Sequence, residues 1–363
     1  MAVNISVNKV TSSKIESVDF NNLPFGKIFT DHMFVADYKN GRWQNFQVIP
    51  FGNLSLHPAT SALHYGQEIF EGMKASCDVD GNPVLFRPEE NAKRFQVSAE
   101  RMAMPQFPID VFMQALDKLI DLDRAWVPKS AEASLYIRPF MFATENYVGI
   151  KTSESFKFVI FCSPVGAYYA KPVKVYISEK YVRAFPGGVG YAKAAGNYAS
   201  TLKPVAEVKE KGFDQILWLD GIEKKYFQEI GTMNVFFLIN DQLITPELSD
   251  GTILEGITRD SVMKLARHFN VDVEERKISV DEVLSAYKNG ELQDMFGTGT
   301  AATVSHISHV GFRDEVFELP SINNREVSIR IKNTLDLIKR GLHEDTFGWI
   351  HRVPNHAAKE EIV

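Results

Sequence analysis

Residues 187–201 read GGVGYAKAAGNYAST, and a single lysine, Lys193, stands there in a run of glycine and alanine. Lysines ordinarily sit on helix faces or loops among other polar side chains. Here the neighbours carry almost no side chain, so a bulky group can lie close against the backbone. A lysine so placed is easily stripped of water. Desolvation disfavours the ammonium form and lowers the pKa, which makes the amine nucleophilic near neutral pH. That is the environment needed for a Schiff base with an aldehyde cofactor. The competing reading of the stretch alone is a glycine-rich surface loop with one solvated lysine.

Just upstream, residues 164–172 read PVGAYYAKP. Two prolines and a glycine bracket an aromatic pair, a composition that suits an interdomain linker. This divides the chain into a small N-terminal domain at 1–165, an interdomain loop at 166–176 and a larger C-terminal domain at 177–363. In the first part, residues 31–38 and 43–51 read as strands turning at Asn40-Gly41. Residues 59–73 have helix-like apolar spacing, and Asp80-Gly81-Asn82-Pro83 is a tight turn. Residues 89–104 and 108–126 are amphipathic helices. Residues 134–142 and 156–163 are strands. In the second part, 173–178 is a strand and 197–211 is helical with a break near Pro204. Hairpins turn at Gly221 and at Asn240-Asp241. Residues 258–269, 280–287 and 326–342 are helices, and 295–310 mixes glycines with β-formers. Strands and helices mix without regular βαβ alternation, so the class is α+β in two domains.

The composition excludes several alternatives. The chain has 363 residues, 45% apolar and 24% charged, with a net charge of −6. That balance argues against nucleic acid or an anionic membrane as a partner. No apolar run is long enough to span a bilayer. The first twenty residues alternate polar and apolar types without a hydrophobic core segment and contain no arginine, unlike secretory or transit leaders. The two cysteines, Cys77 and Cys162, form neither a zinc spacing nor a disulfide framework. A reduced, cytoplasmic protein without a metal is the expectation.

Four features complement Lys193 as a phosphorylated pyridine aldehyde would require. Glu229 ends an apolar hairpin strand and precedes a glycine; if buried, it needs a cationic partner, which a pyridinium N–H supplies. Gly256-Ile257-Thr258 opens a helix whose first-turn N–H groups suit a phosphate. Residues 296–302, FGTGTAA, alternate glycine and threonine and form a second anion cradle. Arg94, within helix 89–104, can grip a phosphate in fork geometry; Arg87 and Arg101 are nearby competitors, and spacing alone does not choose among the three. Each feature also has an ordinary reading, as strand-end glutamate, helix cap, turn or solvated arginine.

These segments resemble the fold-type IV pyridoxal-phosphate enzymes, and among them the branched-chain amino acid aminotransferases. The similarity runs from about Leu23 to Pro354. It is carried by FGKIFTDHM at 25–33, LHPATSALHYGQEIFEGMKA at 56–75, LYIRPF at 135–140, GGVGYAKAAGNYAS at 187–200, EIGTMN at 229–234, GITRDS at 256–261 and FGTGTAA at 296–302. The resemblance implies a D-amino acid aminotransferase-like fold: a small α/β domain and a larger β-barrel-like domain with helices. It implies Lys193 as the Schiff-base lysine and catalytic base, Glu229 on the pyridine nitrogen and Tyr198 on the ring hydroxyl. It gives the phosphate to Arg94, the backbone of Ile257 and Thr258, and Thr300. Thr232 lies beside the cofactor and along the side-chain pocket.

The same resemblance implies that the substrate carboxylate meets Thr300, the Ala301 N–H and the Tyr136–Arg138 pair. Phe25, Tyr65, Phe70, Tyr136 and Tyr168 line the pocket. It further implies a homodimer in which Val148 and Ile150 close the partner's pocket. The implied reaction is transamination of L-leucine, L-isoleucine and L-valine with 2-oxoglutarate. D-amino acid aminotransferase and aminodeoxychorismate lyase share the fold and are the rival activities. A phosphate-binding module without chemistry is the rival class, and the chain lacks both G-x-x-x-x-G-K-[ST] and a strand-following G-x-G-x-x-G.

One departure carries a prediction. Mammalian relatives hold a redox C-x-x-C just after the Gly-Thr-Gly-Thr-Ala run, and here those positions are Ala302 and Ser305. Activity is expected to survive mild oxidant; a large loss that dithiothreitol reverses would contradict this.

Overall fold

The turn at Asn40-Gly41 shows how local chemistry sets the first sheet. Both residues take left-handed backbone, with φ of 53° and 75°. Two positive φ values in a two-residue loop match the twist of the flanking strands, and His32–Lys39 pairs antiparallel with Arg42–Pro50. The computed structural model describes residues 3–166 and 171–355. Tyr168 and part of the expected linker lie outside the described residues. Within them the chain forms two units, one of 3–166 with 192–195 and 337–355, the other of 171–191 with 196–336.

The first unit is built on a nine-stranded sheet. Its centre is the antiparallel pair Ser134–Ala143 and Phe156–Val165, flanked by His32–Lys39 on one side and Met73–Cys77 on the other. Helices Pro88–Arg101 and Ile109–Leu122 supply Phe95, Phe112, Leu116 and Leu119 to the core beneath it. The rings of Phe107 and Phe158 stack there at 4.0 Å. The expected helix at 59–73 is not formed as such. Only Ser61–Tyr65 is helical, because Gly66 takes φ 63° and caps it. The chain then enters strands Glu68–Phe70 and Met73–Cys77, both pairing with Ser134–Ala143. Backbone pairing in the sheet overrode the apolar spacing.

The last strand, Ile350–Arg352, pairs with Pro83–Phe86. The sequence reading drew the C-terminal domain to residue 363. Residues 337–355 instead group with the first unit, which is therefore no smaller than the second. The short piece Ala192–Ala195 joins the first unit through a bridge between Ala194 and Ile69.

The second unit contains a closed barrel, the barrel-like body expected of it. Six strands run in a ring: Phe227–Ile230, Gln215–Leu219, Val173–Ser178, Thr303–Phe312, Leu292–Gly299 and Met233–Ile239, which pairs back onto Phe227–Ile230. Val175, Leu217, Val235, Phe237, Met295 and Ile307 fill its core. The expected helix over 197–211 is two helices, Ala195–Ala199 and Leu202–Glu210. The break at Ser200-Thr201 stands just before Pro204, whose ring clashes with the carbonyl four residues earlier.

Candidate active site

In the first unit Lys193 is fixed by its main chain. Its N–H donates to Ser98 Oγ at 2.9 Å, and its carbonyl accepts from the Phe70 N–H at 3.1 Å. Its Nζ stands 5.2 Å from the centre of the Phe70 ring. Ala192 and Ala194 on either side are 1% exposed. The small residues therefore let this segment dock against the strand Glu68–Phe70 and the helix Pro88–Arg101. Lys193 itself is half-buried.

Next to Phe70 lies Glu71, which is fully buried. Arg94 grips it with two hydrogen bonds, Nε at 2.7 Å and Nη2 at 2.9 Å. Asn91 Nδ2 at 2.8 Å and the Gly72 N–H at 3.1 Å add to them. Burial pushes the Glu71 carboxyl up. The charge and hydrogen bonds of Arg94, then the charge of Lys193, more than reverse that and hold it below the usual glutamate range. The helix presents Asn91, Arg94 and Ser98 on one face, at spacings close to its period of about 3.6 residues. Polar residues on the buried face of an amphipathic helix were a signal that the sequence reading passed over, and so was the carboxylate inside the apolar run at 69–73.

Strand alternation builds the rest of this half. Leu135, Ile137 and Met141 face the core, so Tyr136, Arg138 and Phe140 face the other way. Arg138 Nη2 donates to the Tyr136 hydroxyl at 2.8 Å, which brings together the pair expected at the substrate carboxylate. The guanidinium lies 4.6 Å from the Phe70 ring centre, and its Nε is buried with no hydrogen-bond partner among the described residues. A buried cationic N–H without an acceptor is costly unless a ligand completes it. Phe25 meets Tyr136 edge-on at 5.2 Å. Phe25 and Tyr65 are both more than two-fifths exposed, and Val148 and Ile150 stand at 65% and 93% exposure. A Cβ on Gly72 would collide with the Tyr136 hydroxyl. Gly72→Ala is therefore expected to displace Tyr136, break its bond to Arg138 and raise the amino-acid KM by about tenfold. An unchanged KM in steady-state assays would refute this.

In the second unit Glu229 is 1% exposed on strand Phe227–Ile230. Its Oε2 pairs with Arg183 Nε at 2.8 Å, and its Oε1 accepts the Leu254 N–H at 2.7 Å. Arg183 is the cationic partner inside the protein that the sequence reading missed. It is held in turn by the carbonyls of Thr252 at 2.6 Å and Gly190 at 3.2 Å. A small pocket here is lined by Arg183, Tyr198, Glu229, Gly231, Thr232 and Leu254. Tyr198 comes from helix Ala195–Ala199. Thr232 comes from the tight turn between two barrel strands, where Gly231 takes φ 54°.

Gly256 caps the helix Ile257–His268 with extended backbone. A Cβ there would run into the side chain of Asn234, which holds the Leu254 carbonyl at 2.9 Å. Glycine thus keeps the first turn, with Ile257 and buried Thr258, close to the barrel end. Thr300 and Ala301 sit in the turn joining strands Leu292–Gly299 and Thr303–Phe312. Each expected residue outside 167–170 thus falls into one of two groups. Lys193, Arg94, Phe25, Tyr65, Phe70, Tyr136, Arg138, Val148 and Ile150 belong to the first unit. Tyr198, Glu229, Thr232, Ile257, Thr258, Thr300 and Ala301 belong to the second.

The donor set fits a pyridoxal phosphate. The first unit offers a primary amine that suits an aldehyde; the second offers a buried carboxylate lining a pocket with a tyrosine, which suits a protonated ring nitrogen and a ring hydroxyl, and a helix first turn that suits a phosphate. Among the described residues, no helix is long and apolar enough to cross a membrane.

Comparison with known proteins gives the same direction. A model of the family Amino-transferase class IV matches residues 68–310. Branched-chain-amino-acid aminotransferase 2 of Bacillus subtilis (strain 168) is 46% identical over 349 residues, covering 95% of this chain and 96% of that protein. The crystal structure of an Escherichia coli branched-chain amino acid aminotransferase superposes with a TM-score of 0.72 at 27% identity, over 89% of this chain and 99% of the other. Another branched-chain amino acid aminotransferase, from T.th. and complexed with N-(5'-phosphopyridoxyl)-L-glutamate, superposes with a TM-score of 0.71 at 25% identity, over 88% and 98%.

Proposed function

The chain belongs to the Amino-transferase class IV family, and on that premise we propose that it exchanges the amino group between L-leucine, L-isoleucine or L-valine and 2-oxoglutarate, working with pyridoxal phosphate. The observation that carries the chemistry is Glu229, a carboxylate 1% exposed that shares a pocket with Tyr198 and Thr232.

In this reading Lys193 anchors the cofactor, Glu229 accepts its ring N–H and Tyr198 meets its ring hydroxyl. Arg94, the N–H groups of Ile257 and Thr258, and Thr300 hold the phosphate, with Thr232 alongside. The bound cofactor supplies an electron sink for the pair left when the substrate Cα–H bond breaks. Lys193 Nζ is the base that takes the proton from that Cα. Tyr136, Arg138, Thr300 and the Ala301 N–H orient the α-carboxylate. Phe25, Tyr65 and Phe70 select the side chain by shape and apolar area alone, where one methylene is worth about 1–3 kcal/mol. Overlap among the three branched substrates follows. The second substrate, 2-oxoglutarate, and the glutamate formed from it carry a γ-carboxylate, and Arg138 and the tyrosine hydroxyls are its partners.

A homodimer belongs to the same proposal, with Val148 and Ile150 closing the partner's pocket; their high exposure supports it. A cytoplasmic location is proposed with it, supported by the unpaired thiols Cys77 and Cys162. The test is a spectral titration of the purified yellow protein with L-leucine and then 2-oxoglutarate. The expected result is a shift of the visible band by leucine and its return with 2-oxoglutarate. A response to D-alanine or aminodeoxychorismate with none to L-leucine would transfer the assignment to a rival activity.

A further inference from the structure

The strand Glu68–Phe70 of the first unit carries a carboxylate to which no role has fallen so far. Side chains alternate along this stretch. Ile69 is fully buried in the core, and Glu71 is bonded to Asn91 and Arg94 of the helix Pro88–Arg101. Glu68 and Phe70 therefore stand on the opposite face. The pairing with strand Ser134–Ala143 agrees, with Glu68 opposite Phe142 and Phe70 opposite Phe140. Residues directly opposite in an antiparallel pair share a face. Glu68 thus lies on the face that presents Tyr136 and Arg138. The Arg138 guanidinium reaches over the Phe70 ring, 4.6 Å from its centre. Phe140 is two residues beyond Arg138 on its strand and Phe142 is four, so this reach runs along the sheet towards Glu68.

The surroundings of Glu68 suit a charge poorly. Phe142, directly opposite, is 5% exposed and stacks on Phe140 at 5.6 Å. Both rings belong to an apolar cluster on this face. Glu68 is half-buried, and its carboxylate accepts no hydrogen bond among the described residues. Burial raises its carboxyl above the usual glutamate range, against the attraction of Arg138. A half-buried carboxylate without a donor costs more than an apolar side chain or an amide in the same place. Packing therefore does not account for Glu68. Its charge and that of Arg138 attract each other across the face of the substrate pocket, and no hydrogen bond joins them among the described residues.

We propose that Glu68 is a specificity-determining residue, which sets how readily the side-chain pocket accepts a second carboxylate. The inference rests on the functional reading above, in which Arg138 meets the γ-carboxylate of the acidic substrate. With a branched aliphatic side chain in the pocket, Glu68 offsets an Arg138 charge that otherwise faces apolar groups alone. With a γ-carboxylate in the pocket, Glu68 and the substrate place like charges about one guanidinium, and their repulsion weakens binding. One side chain thus favours the branched substrates and keeps the acidic ones from holding a site that both must use in turn.

Two unreactive acids test this. Glutarate has the two carboxylates of 2-oxoglutarate without its keto group, and 4-methylpentanoate has the carbon skeleton of leucine without its amine. Calorimetric titration of the holoenzyme at neutral pH, where both acids are ionised, gives the ratio of their Kd values. Glu68→Gln keeps the shape and removes the charge. It should tighten glutarate relative to 4-methylpentanoate by about tenfold. Glu68→Asp keeps the charge and should hold the wild-type ratio to within about threefold. A merely structural role would move both acids together and leave the ratio where it was. An unchanged ratio in Glu68→Gln, or a Glu68→Asp protein that matches Glu68→Gln, overturns the role of Glu68 alone. If neither acid binds the wild-type holoenzyme, the leucine reading falls and the proposal falls with it.

Discussion

Lys193→Ala is expected to lose at least about four orders of magnitude in transamination rate, because the anchoring amine and the base at Cα disappear together. The fold should tolerate the change. Two contacts of residue 193 run through its main chain, to Ser98 Oγ and the Phe70 N–H, and alanine keeps both. Thermal stability should fall by no more than about 2 kcal/mol, because the buried Glu71 gives up the charge of Lys193 but keeps both hydrogen bonds of Arg94. The decisive measurement is mass spectrometry after borohydride reduction of the holoenzyme. Wild type should carry the pyridoxyl mass on the peptide containing Lys193, and the variant should carry none. A label on another lysine, or a rate within tenfold of wild type, would remove the proposal.

Glu229→Gln tests the opposite end of the chemistry. The amide keeps an oxygen for the Leu254 N–H but places an NH₂ group against Arg183. It also ceases to stabilise a positive ring nitrogen. The rate should fall by roughly 10²–10⁴-fold while cofactor is retained. The protein should also lose about 3 kcal/mol of stability, since Arg183 is 7% exposed and would be left without its charge partner. Adding Arg183→Met separates the two effects. The double variant should recover much of the melting temperature and none of the rate. If it recovers both, Glu229 serves the barrel and not the reaction.

The pair Glu71–Arg94 complicates any reading of Arg94. Removing the arginine strands a fully buried carboxylate, so Arg94→Ala would destabilise the first unit whether or not it holds a phosphate. A loss of cofactor in that variant alone therefore says little about the phosphate. Comparing Arg94→Ala with the paired variant Arg94→Met/Glu71→Gln addresses it, because the second removes both charges.

Much of this was written in short-range chemistry. The positive-φ turn at Asn40-Gly41, the helix over Ile257–His268 and the hairpin at Asn240-Asp241 follow from residue type over a few positions. Lys193 among glycines and alanines and Thr258 in a first turn were legible for the same reason, whereas the Tyr136–Arg138 pair came from the resemblance. The stretch at 59–73 was misread because its apolar spacing also suits short strands. Only the neighbouring strand Ser134–Ala143 decides between the two.

What the chain by itself determined is the set of reactive groups and the local backbone that presents them, since both depend on neighbours in sequence. Tertiary structure alone decided which charges meet. Arg183 lies 46 positions from Glu229 and Glu71 lies 23 from Arg94, yet each pair closes at under 3 Å. The return of Ile350–Arg352 to the first sheet is of the same kind. No local pattern encodes them, because the cost of burying a charge or a polar atom is settled only when distant segments are brought out of water together.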